Sequence, residues 1–328
     1  MTNACLLLAL FSGQVDGPDL QDQLASAIIS GKSREVRKLL DQKPELLRMP
    51  CEEMPTASSL AARENRVEIL REMMKRGEDF GTFYRVEGDQ RMPIGGALRA
   101  AAIYHSMDAA RFLLENKCDP NSAPYVGVKK GFSIGDDHRE PTGIYSMTPV
   151  DYAVSRLDHE MLELLVSYGG DPSFAIGTKG NALYYIGSSY GIQMELRSME
   201  RPKAEERIRK MVRYLKEHGC TDINAQDGFG QTVLFGAVKS GNAAVVKVLL
   251  EEFPDADPDI SSDLGNCFYE IISTPVRHAE DAKEIIELLI EQGADYSGFM
   301  PNGELIIRYC DHQLRTALHE AIRRHEEK

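Results

Sequence analysis

The residues best suited to binding chemistry in this sequence are its tyrosines. The chain has 13 tyrosines, and nine of them fall between Tyr84 and Tyr190. A tyrosine offers an apolar ring and a hydroxyl that donates and accepts hydrogen bonds, and it is enriched at binding hot spots. We therefore predict an aromatic binding surface in this third of the chain. The alternative is that several of the rings pack loops against the rest of the molecule.

The candidate binding residues share one of two expected positions, short helices or extended turns. On short helices these are Arg99, Tyr104, Tyr152, Tyr184 and Tyr185, and in extended turns they are Tyr84, Tyr125, His138 and Tyr145.

His138 lies in a charged stretch, residues 136–140, close to Lys129 and Lys130. Histidine and carboxylate side chains bind metal ions, but adjacent positions do not share one helix face and no metal-binding loop motif is complete here. The stretch therefore predicts a solvated charged loop, with polar contacts to a partner as a second interpretation. We predict no metal and no cofactor.

The sequence carries no recognisable catalytic motif. No histidine lies in a nucleophile motif with serine or cysteine, and no glycine-rich phosphate-binding loop is present. The six cysteines are dispersed without a C-x-x-C pair, which predicts neither a zinc site nor a disulfide framework and favours a reducing compartment such as the cytoplasm. The sequence therefore leans away from an enzyme without deciding the question.

Composition excludes several classes of function. The 328 residues are 42% hydrophobic, which is typical of a folded protein, and the net charge of −13 argues against binding to nucleic acid or an anionic membrane. No apolar run approaches the roughly 18 residues of a membrane span.

The run Cys5–Phe11 has no Lys or Arg before it, so it predicts a short capping helix rather than a secretory signal.

A pair of apolar residues recurs along the chain at intervals of 34 to 51 residues. Most pairs close an i, i+3, i+4 pattern, which predicts an amphipathic helix, and a glycine that often follows predicts a left-handed helix stop. The pairs are Leu39-Leu40, Met73-Met74, Leu113-Leu114, Leu164-Leu165, Tyr214-Leu215, Leu249-Leu250 and Leu288-Leu289.

A shorter helix rich in small residues is predicted upstream of the apolar pairs. Alanine on one face of this helix lets its partner helix approach closely, and a pair of helices that cannot bury both faces alone must stack on its neighbours. Threonine or asparagine at the start can cap the free N–H groups. These predicted caps are Thr56, Thr148, Asn181, Thr232 and Asn266.

The segment Gly230–Asn242 resembles the ankyrin pattern G-x-T-P-L-H-x-A-x-x-x-G, and residues 243–250 continue it into a second helix. Thr148–Ala153, Leu113–Asn121 and Leu288–Asp295 match other parts of that pattern. The resemblance covers about residues 20–300 and implies an all-α, ankyrin-type helical repeat solenoid of seven or eight repeats. No repeat has the complete T-P-L-H tetrad, and repeats 2 and 4 have Asn65 and Leu157 where the pattern has glycine.

We predict a single continuous array over residues 1–328. Its parts are an N-terminal cap at 1–20, repeats 1 to 7 at 21–300 with insertions at 80–95, 122–147 and 187–205, and a C-terminal cap repeat at 301–328. In that last repeat, Leu305–Cys310 and 313–327 can form a helix pair, or Thr316 can open a new repeat; we favour the pair.

The resemblance implies a protein–protein interaction module. A partner would bind the concave face and the extended turns of repeats 3 to 5, where most of the tyrosines are expected. The alternative is a small-molecule-binding protein or enzyme whose pocket lies under the insertions at 80–95 and 122–147.

Overall fold

Helices make up most of the described chain. The computed structural model describes residues 19–48, 54, 56–80, 96–122, 125–126, 144–145, 147–175, 180–273, 279–297 and 312–327. Packing divides the chain into two compact units, residues 1–118 (unit 1) and residues 119–328 (unit 2). Both units are built from pairs of helices, as the sequence predicts.

Unit 1 contains three helix pairs among its described residues. They are α1 (Leu20–Ile29) with α2 (Ser33–Gln42), α3 (Ala57–Arg63) with α4 (Val67–Lys75), and α5 (Ala97–Ile103) with α6 (Met107–Glu115); the 3-10 helix η1 (Pro44–Arg48) follows α2. The first helices of the pairs, here called inner helices, pack on one another in the order α1, α3, α5. The second, outer helices pack in the order α2, α4, α6.

Unit 2 begins with two short antiparallel strands, β1 (Tyr125–Val126) and β2 (Ile144–Tyr145). The helices that follow are α7 (Pro149–Ser155), α8 (His159–Ser167), the 3-10 helix η2 (Ala182–Tyr185), α9 (Tyr190–Ser198), α10 (Arg201–Glu217), α11 (Val233–Ser240), α12 (Ala243–Glu252), α13 (Cys267–Ser273), α14 (Ala279–Glu291) and α15 (His312–Glu326). Successive inner elements α7, η2, α11 and α13 pack on one another, and so do the outer helices α10, α12, α14 and α15.

The core lies between successive helix pairs. Small residues of the inner helices are buried, including Ala61, Ala101 and Ala153, none of which is exposed at all. The apolar pairs of the outer helices supply the larger side chains, and Leu113 and Leu249 are also fully buried. Alanine allows the close approach and leucine fills the space between layers, which is the packing the repeat pattern predicts.

All five predicted caps hold the start of a short helix. In each case a side-chain oxygen accepts a hydrogen bond from a backbone N–H two or three residues later, for example from Asp151 to Thr148 at 3.1 Å and from Phe235 to Thr232 at 3.1 Å. The same holds for Thr56, Asn181 and Asn266. The caps satisfy N–H groups that have no partner within the helix.

The tight turn between inner and outer helix requires a left-handed residue. Gly31 and Gly241 supply it with φ of 69° and 65°. Asn65, His105 and Leu157 adopt the same conformation, with φ of 53°, 54° and 51°. The turn is therefore kept where the sequence departs from glycine, although a left-handed leucine costs about 1–2 kcal/mol. The burial of Leu157, which is 3% exposed, offsets part of that cost.

Two further segments can be set beside the sequence-based prediction. The insertion at 187–205 is mostly helical, since α9 occupies residues 190–198 and α10 begins at Arg201. At the C-terminus, α15 covers nearly all of the predicted helix 313–327, and Thr316 lies inside it rather than at its start. The predicted partner segment 305–310 and the predicted capping run Cys5–Phe11 lie outside the described residues.

Candidate binding surface

The turn tyrosines can be placed in part. Tyr84 and His138 lie outside the described residues. Tyr125 and Tyr145 are directly opposite each other in the antiparallel pair β1–β2. The two ends of the long insertion are thus brought together by backbone pairing at the two predicted tyrosines.

In unit 1 the predicted residues have contrasting environments. Arg99 is buried within α5 and only 6% exposed, whereas Tyr104, which ends that helix, is 51% exposed. The guanidinium carbon of Arg63 lies 5.7 Å from the centre of the Tyr104 ring, within the range of a cation–π interaction. Of the two predicted binding residues described in unit 1, Tyr104 is therefore the one with an exposed aromatic ring.

In unit 2 the inner-helix tyrosines occupy adjacent elements. Tyr152 lies on α7 and Tyr184 and Tyr185 on η2, and these two elements pack against each other. All three side chains are half-buried. The Tyr184 hydroxyl donates a hydrogen bond to the backbone oxygen of Ala225, which joins η2 to the turn that follows α10.

The hydroxyls of Tyr184 and Tyr185 are neutral at physiological pH. Burial raises the pKa of Tyr185 well above its ordinary value, and the nearby Asp151, Asp227 and Tyr152 raise it further. Burial likewise raises the pKa of Tyr184. Such groups offer ring faces and neutral hydrogen-bonding atoms, which suits recognition rather than nucleophilic attack.

The described residues contain no group of three or more His, Cys, Asp or Glu side chains that could hold a metal ion. Two buried thiols, Cys118 and Cys267, have their pKa raised to about 12, chiefly by burial. They stay protonated at neutral pH, and a protonated thiol is a poor nucleophile.

Three exposed apolar residues were not singled out by the sequence reasoning. Phe229 is 37% exposed, Leu264 is 48% exposed and Tyr269 is 47% exposed. Phe229 and Leu264 lie in turns, in the segments Asp-Gly-Phe-Gly and Asp-Leu-Gly. The sequence did contain a signal for Phe229 and Leu264. Turns normally carry polar side chains, so an apolar side chain between turn-forming residues indicates an exposed apolar position.

Within the described ranges, no helix is both long and apolar enough to cross a membrane. Residues 210–250 match a family described as "Ankyrin repeats (many copies)". This match spans the C-terminal half of α10 and all of α11, and it ends within α12.

The chain is also similar to a solved structure, the crystal structure of the human ASB11 ankyrin repeat domain. The two share 13% sequence identity with a TM-score of 0.51, and the match covers 83% of this chain and 98% of that one. At this level of identity the likeness shows the fold alone.

Proposed function

We propose that this ankyrin-repeat protein binds a protein partner through the inner helices and extended turns of repeats 3 to 5. Ankyrin repeats generally serve as protein-interaction modules, and both the fold and the match at residues 210–250 are of that kind. A fold does not specify a partner, so the argument for this region depends on its side chains.

The observation that carries the proposal is the packing of α7 against η2. It brings the elements that carry the half-buried Tyr152 and Tyr185 side by side. Tyr145 precedes Pro149, the first residue of α7, by four positions. Four residues span at most about 14 Å, so the end of β2 lies within that distance of the start of α7, the helix that carries Tyr152.

A half-buried tyrosine suits a partner interface. Part of the ring is already fixed by its neighbours, so little side-chain freedom is lost when a partner covers the remainder. The exposed Tyr104 in unit 1 offers a separate aromatic contact of the same kind. The net charge of −13 disfavours a nucleic-acid partner, because phosphates would be repelled.

The small-molecule alternative stays a prediction. Its pocket would lie under the insertions at 80–95 and 122–147, most of whose residues lie outside the described chain.

An affinity pull-down with quantitative mass spectrometry tests the proposal. The wild-type chain is compared with Tyr104→Ala and Tyr152→Ala, and Tyr168→Ala serves as a control because Tyr168 is 39% exposed at the end of the outer helix α8. We expect the first two variants to retain about tenfold less of the partner captured by wild type, as at a binding hot spot, and the control to retain it fully.

Melting temperature separates binding from folding in this experiment. Substitution of the exposed Tyr104 should shift it little, and substitution of the half-buried Tyr152 should still leave the chain folded at the temperature of the assay. If Tyr104→Ala and Tyr152→Ala unfold the chain while their folded fraction captures the partner normally, the tyrosines are packing residues and the proposed surface is wrong.

A further inference from the structure

A second exposed apolar surface lies in unit 2, formed by Phe229, Leu264 and Tyr269 and called here the turn surface. Phe229 precedes α11, Leu264 precedes α13, and Tyr269 lies on α13. Since α11 packs against α13, the turns that lead into them are neighbours.

Direct contacts join the two turns. The side-chain amide of Gln226 donates to the backbone oxygens of Gly230, at 2.7 Å, and Ser261, at 3.2 Å. A Cβ added at Gly230 would come within 3.4 Å of the Ser262 Cα atom, so the backbones nearly touch. The ring of Tyr269 covers Gly265, since a Cβ there would lie 2.7 Å from a ring carbon. Leu264 and Tyr269 are therefore adjacent, and Phe229 lies on the neighbouring turn.

The backbone of each apolar residue is held by a nearby polar side chain. The N–H of Phe229 donates to the carboxylate of Asp227 at 2.8 Å, and the N–H of Leu264 donates to the Ser262 hydroxyl at 3.1 Å. The N–H of Tyr269 donates to the Asn266 cap at 2.9 Å. The surface is thus ordered before any partner arrives, which reduces the entropy lost on binding.

The two segments that form this surface carry charge of one sign. The segments 219–232 and 253–270, which contain both turns, carry no Lys or Arg and seven acidic residues: Asp222, Asp227, Asp255, Asp257, Asp259, Asp263 and Glu270. Several of these carboxylates accept hydrogen bonds from turn N–H groups, which fixes them in place, and Asp255 and Asp263 are exposed. Such a field attracts cationic groups and repels phosphates.

We propose that the turn surface docks a basic segment of a partner protein. An aromatic or aliphatic side chain of that segment packs against Phe229, Leu264 and Tyr269, while its Lys or Arg side chains face the surrounding carboxylates. A second copy of this chain is disfavoured by charge, since each copy carries −13. The inference rests on the proposed function, protein binding, and adds a region outside repeats 3 to 5 together with the charge of the bound segment.

Selection from a phage-displayed library of random short peptides, with the full-length chain as bait, tests this inference. We expect enriched peptides to be net positive and to contain at least one aromatic or aliphatic residue. The most enriched peptide is then synthesised with a fluorophore and titrated by fluorescence polarisation. Its affinity should fall steeply between about 50 mM and about 500 mM NaCl, because salt screens exposed charges.

Variants assign the binding to the turn surface. Leu264→Ser and Phe229→Ser should each weaken the peptide by about tenfold, and Asp263→Lys should weaken it through charge alone. Met194→Ser is the matched control, because Met194 is 51% exposed on α9 outside the surface, and it should bind normally. Leu264→Ser removes an apolar contact and Asp263→Lys changes only charge. If both weaken peptide binding, a folding defect in one variant does not explain the result.

Several outcomes overturn the inference. They are enrichment of acidic or neutral peptides, no enrichment above background, and binding that is insensitive to Leu264→Ser and Asp263→Lys. If the selected peptide depends on Tyr152 but not on Leu264, the proposed function stands and the turn surface fails. Concentration-dependent dimers in sedimentation that disappear in Leu264→Ser would identify a second copy as the occupant instead.

Discussion

Repeats 5 and 6 are neighbours in unit 2, yet their helices are held in different ways. In repeat 6, local residues satisfy the helix ends. Thr232 caps α11, Asn242 caps α12, and Gly241 makes the left-handed turn between them with φ of 65°. Each of these groups acts within two or three residues of its own position, so this repeat is specified by a short stretch of sequence.

Repeat 5 depends on contacts from elsewhere. Its inner element η2 is only four residues long, and the inserted helix α9 follows it. From α9, the Gln193 amide donates to the Gly187 backbone oxygen and accepts from Asn242 at 2.6 Å. Arg197 donates to the Gly241 backbone oxygen at 2.9 Å. The inserted helix is therefore anchored on the tight turn of repeat 6.

An ion network joins the outer helices of the same region. Glu205 on α10 has a side chain only 12% exposed and accepts hydrogen bonds from Arg201, at 2.7 Å, and Lys247 on α12, at 3.0 Å. Arg201 also donates to Glu284 on α14 at 2.7 Å. Burial alone would raise the pKa of Glu205, but the bonds from Arg201 and Lys247 outweigh it and the pKa lies below its ordinary value.

The comparison shows two ways to stabilise one repeat. Where the repeat pattern is kept, caps and apolar packing suffice. Where the inner helix is shortened, an inserted helix and charged side chains link the irregular repeat to its regular neighbour. Repeat 6 therefore stabilises itself and the inserted helix of repeat 5. Substitutions in repeat 6 should lower the free energy of unfolding more than equivalent substitutions in repeat 5.

The largest effect is expected from the core of repeat 6. Leu249 is fully buried, so Leu249→Ala should lower the free energy of unfolding by about 2–5 kcal/mol, from lost burial and the cavity left behind. Urea denaturation followed by circular dichroism measures this. Leu264→Ala, at a residue 48% exposed, should change stability by less than about 0.5 kcal/mol. Equal effects of the two substitutions would contradict the repeat register, which places Leu249 in the core and Leu264 in an exposed turn.

The helix caps should differ between the two repeats. Thr232→Ala removes the oxygen that accepts from Phe235 N–H and should lower the free energy of unfolding by about 1–2 kcal/mol. Asn181→Ala removes the cap of the four-residue η2 and should have about half that effect, since less helix depends on it. Thr232→Ser retains the hydroxyl and is the control. If Asn181→Ala lowered the free energy of unfolding more than Thr232→Ala, the cap of repeat 5 would matter more than that of repeat 6, contrary to this account.

The ion network should contribute less than the core or the caps. A double-mutant cycle with Glu205→Gln and Lys247→Met should give a coupling of about 0.5–1 kcal/mol at neutral pH, the size expected for a partly exposed pair in a network. Because the pKa of Glu205 is lower in the folded chain, its contribution is present above its ordinary pKa and lost as the pH falls through the folded value. A coupling unchanged in strong acid would contradict this account.

The regular parts of the fold could be read from the sequence, and the irregular parts could not. The caps at Thr148 and Thr232 were predictable because capping depends on residues two or three positions apart. The insertion at 187–205 was located, but its anchoring through Gln193 and Arg197 was not, since it joins residues over 40 positions apart. The apolar turn residue Phe229 was overlooked although its position between two turn glycines was a signal, because its exposed fraction depends on how the neighbouring repeats pack.

The smallest expected effect concerns equivalent turns after repeats 5 and 6. After repeat 5, Asn224 accepts from Asp257 N–H at 2.8 Å and donates to the Asp255 backbone oxygen at 2.8 Å. After repeat 6, Asp259 accepts from Asp295 N–H at 2.9 Å. Asparagine can serve as both donor and acceptor here, whereas an ionised aspartate can only accept.

Replacing this acidic residue should therefore stabilise the chain. Burial raises the pKa of Asp259, and the negative charges of Asp257 and Asp295 raise it further. The hydrogen bond from the Asp295 backbone N–H lowers this pKa, but by less than the other effects raise it. A carboxyl whose pKa is raised by folding favours the folded state in acid, and that advantage is lost as the pH rises through the folded pKa. Asp259→Asn should thus raise the free energy of unfolding at pH 7 by a few tenths of a kcal/mol, because solvent screens this partly exposed group.

The pH dependence distinguishes this cause from a general gain in packing. The advantage of Asp259→Asn should shrink as the pH falls below the raised pKa, where Asp259 is protonated and uncharged, and paired urea titrations at neutral and acid pH measure it. Asn224→Asp, the reverse change after repeat 5, is the matched control and should destabilise at neutral pH by a similar amount. If both substitutions destabilise equally at every pH, charge at this turn is not what separates the two repeats.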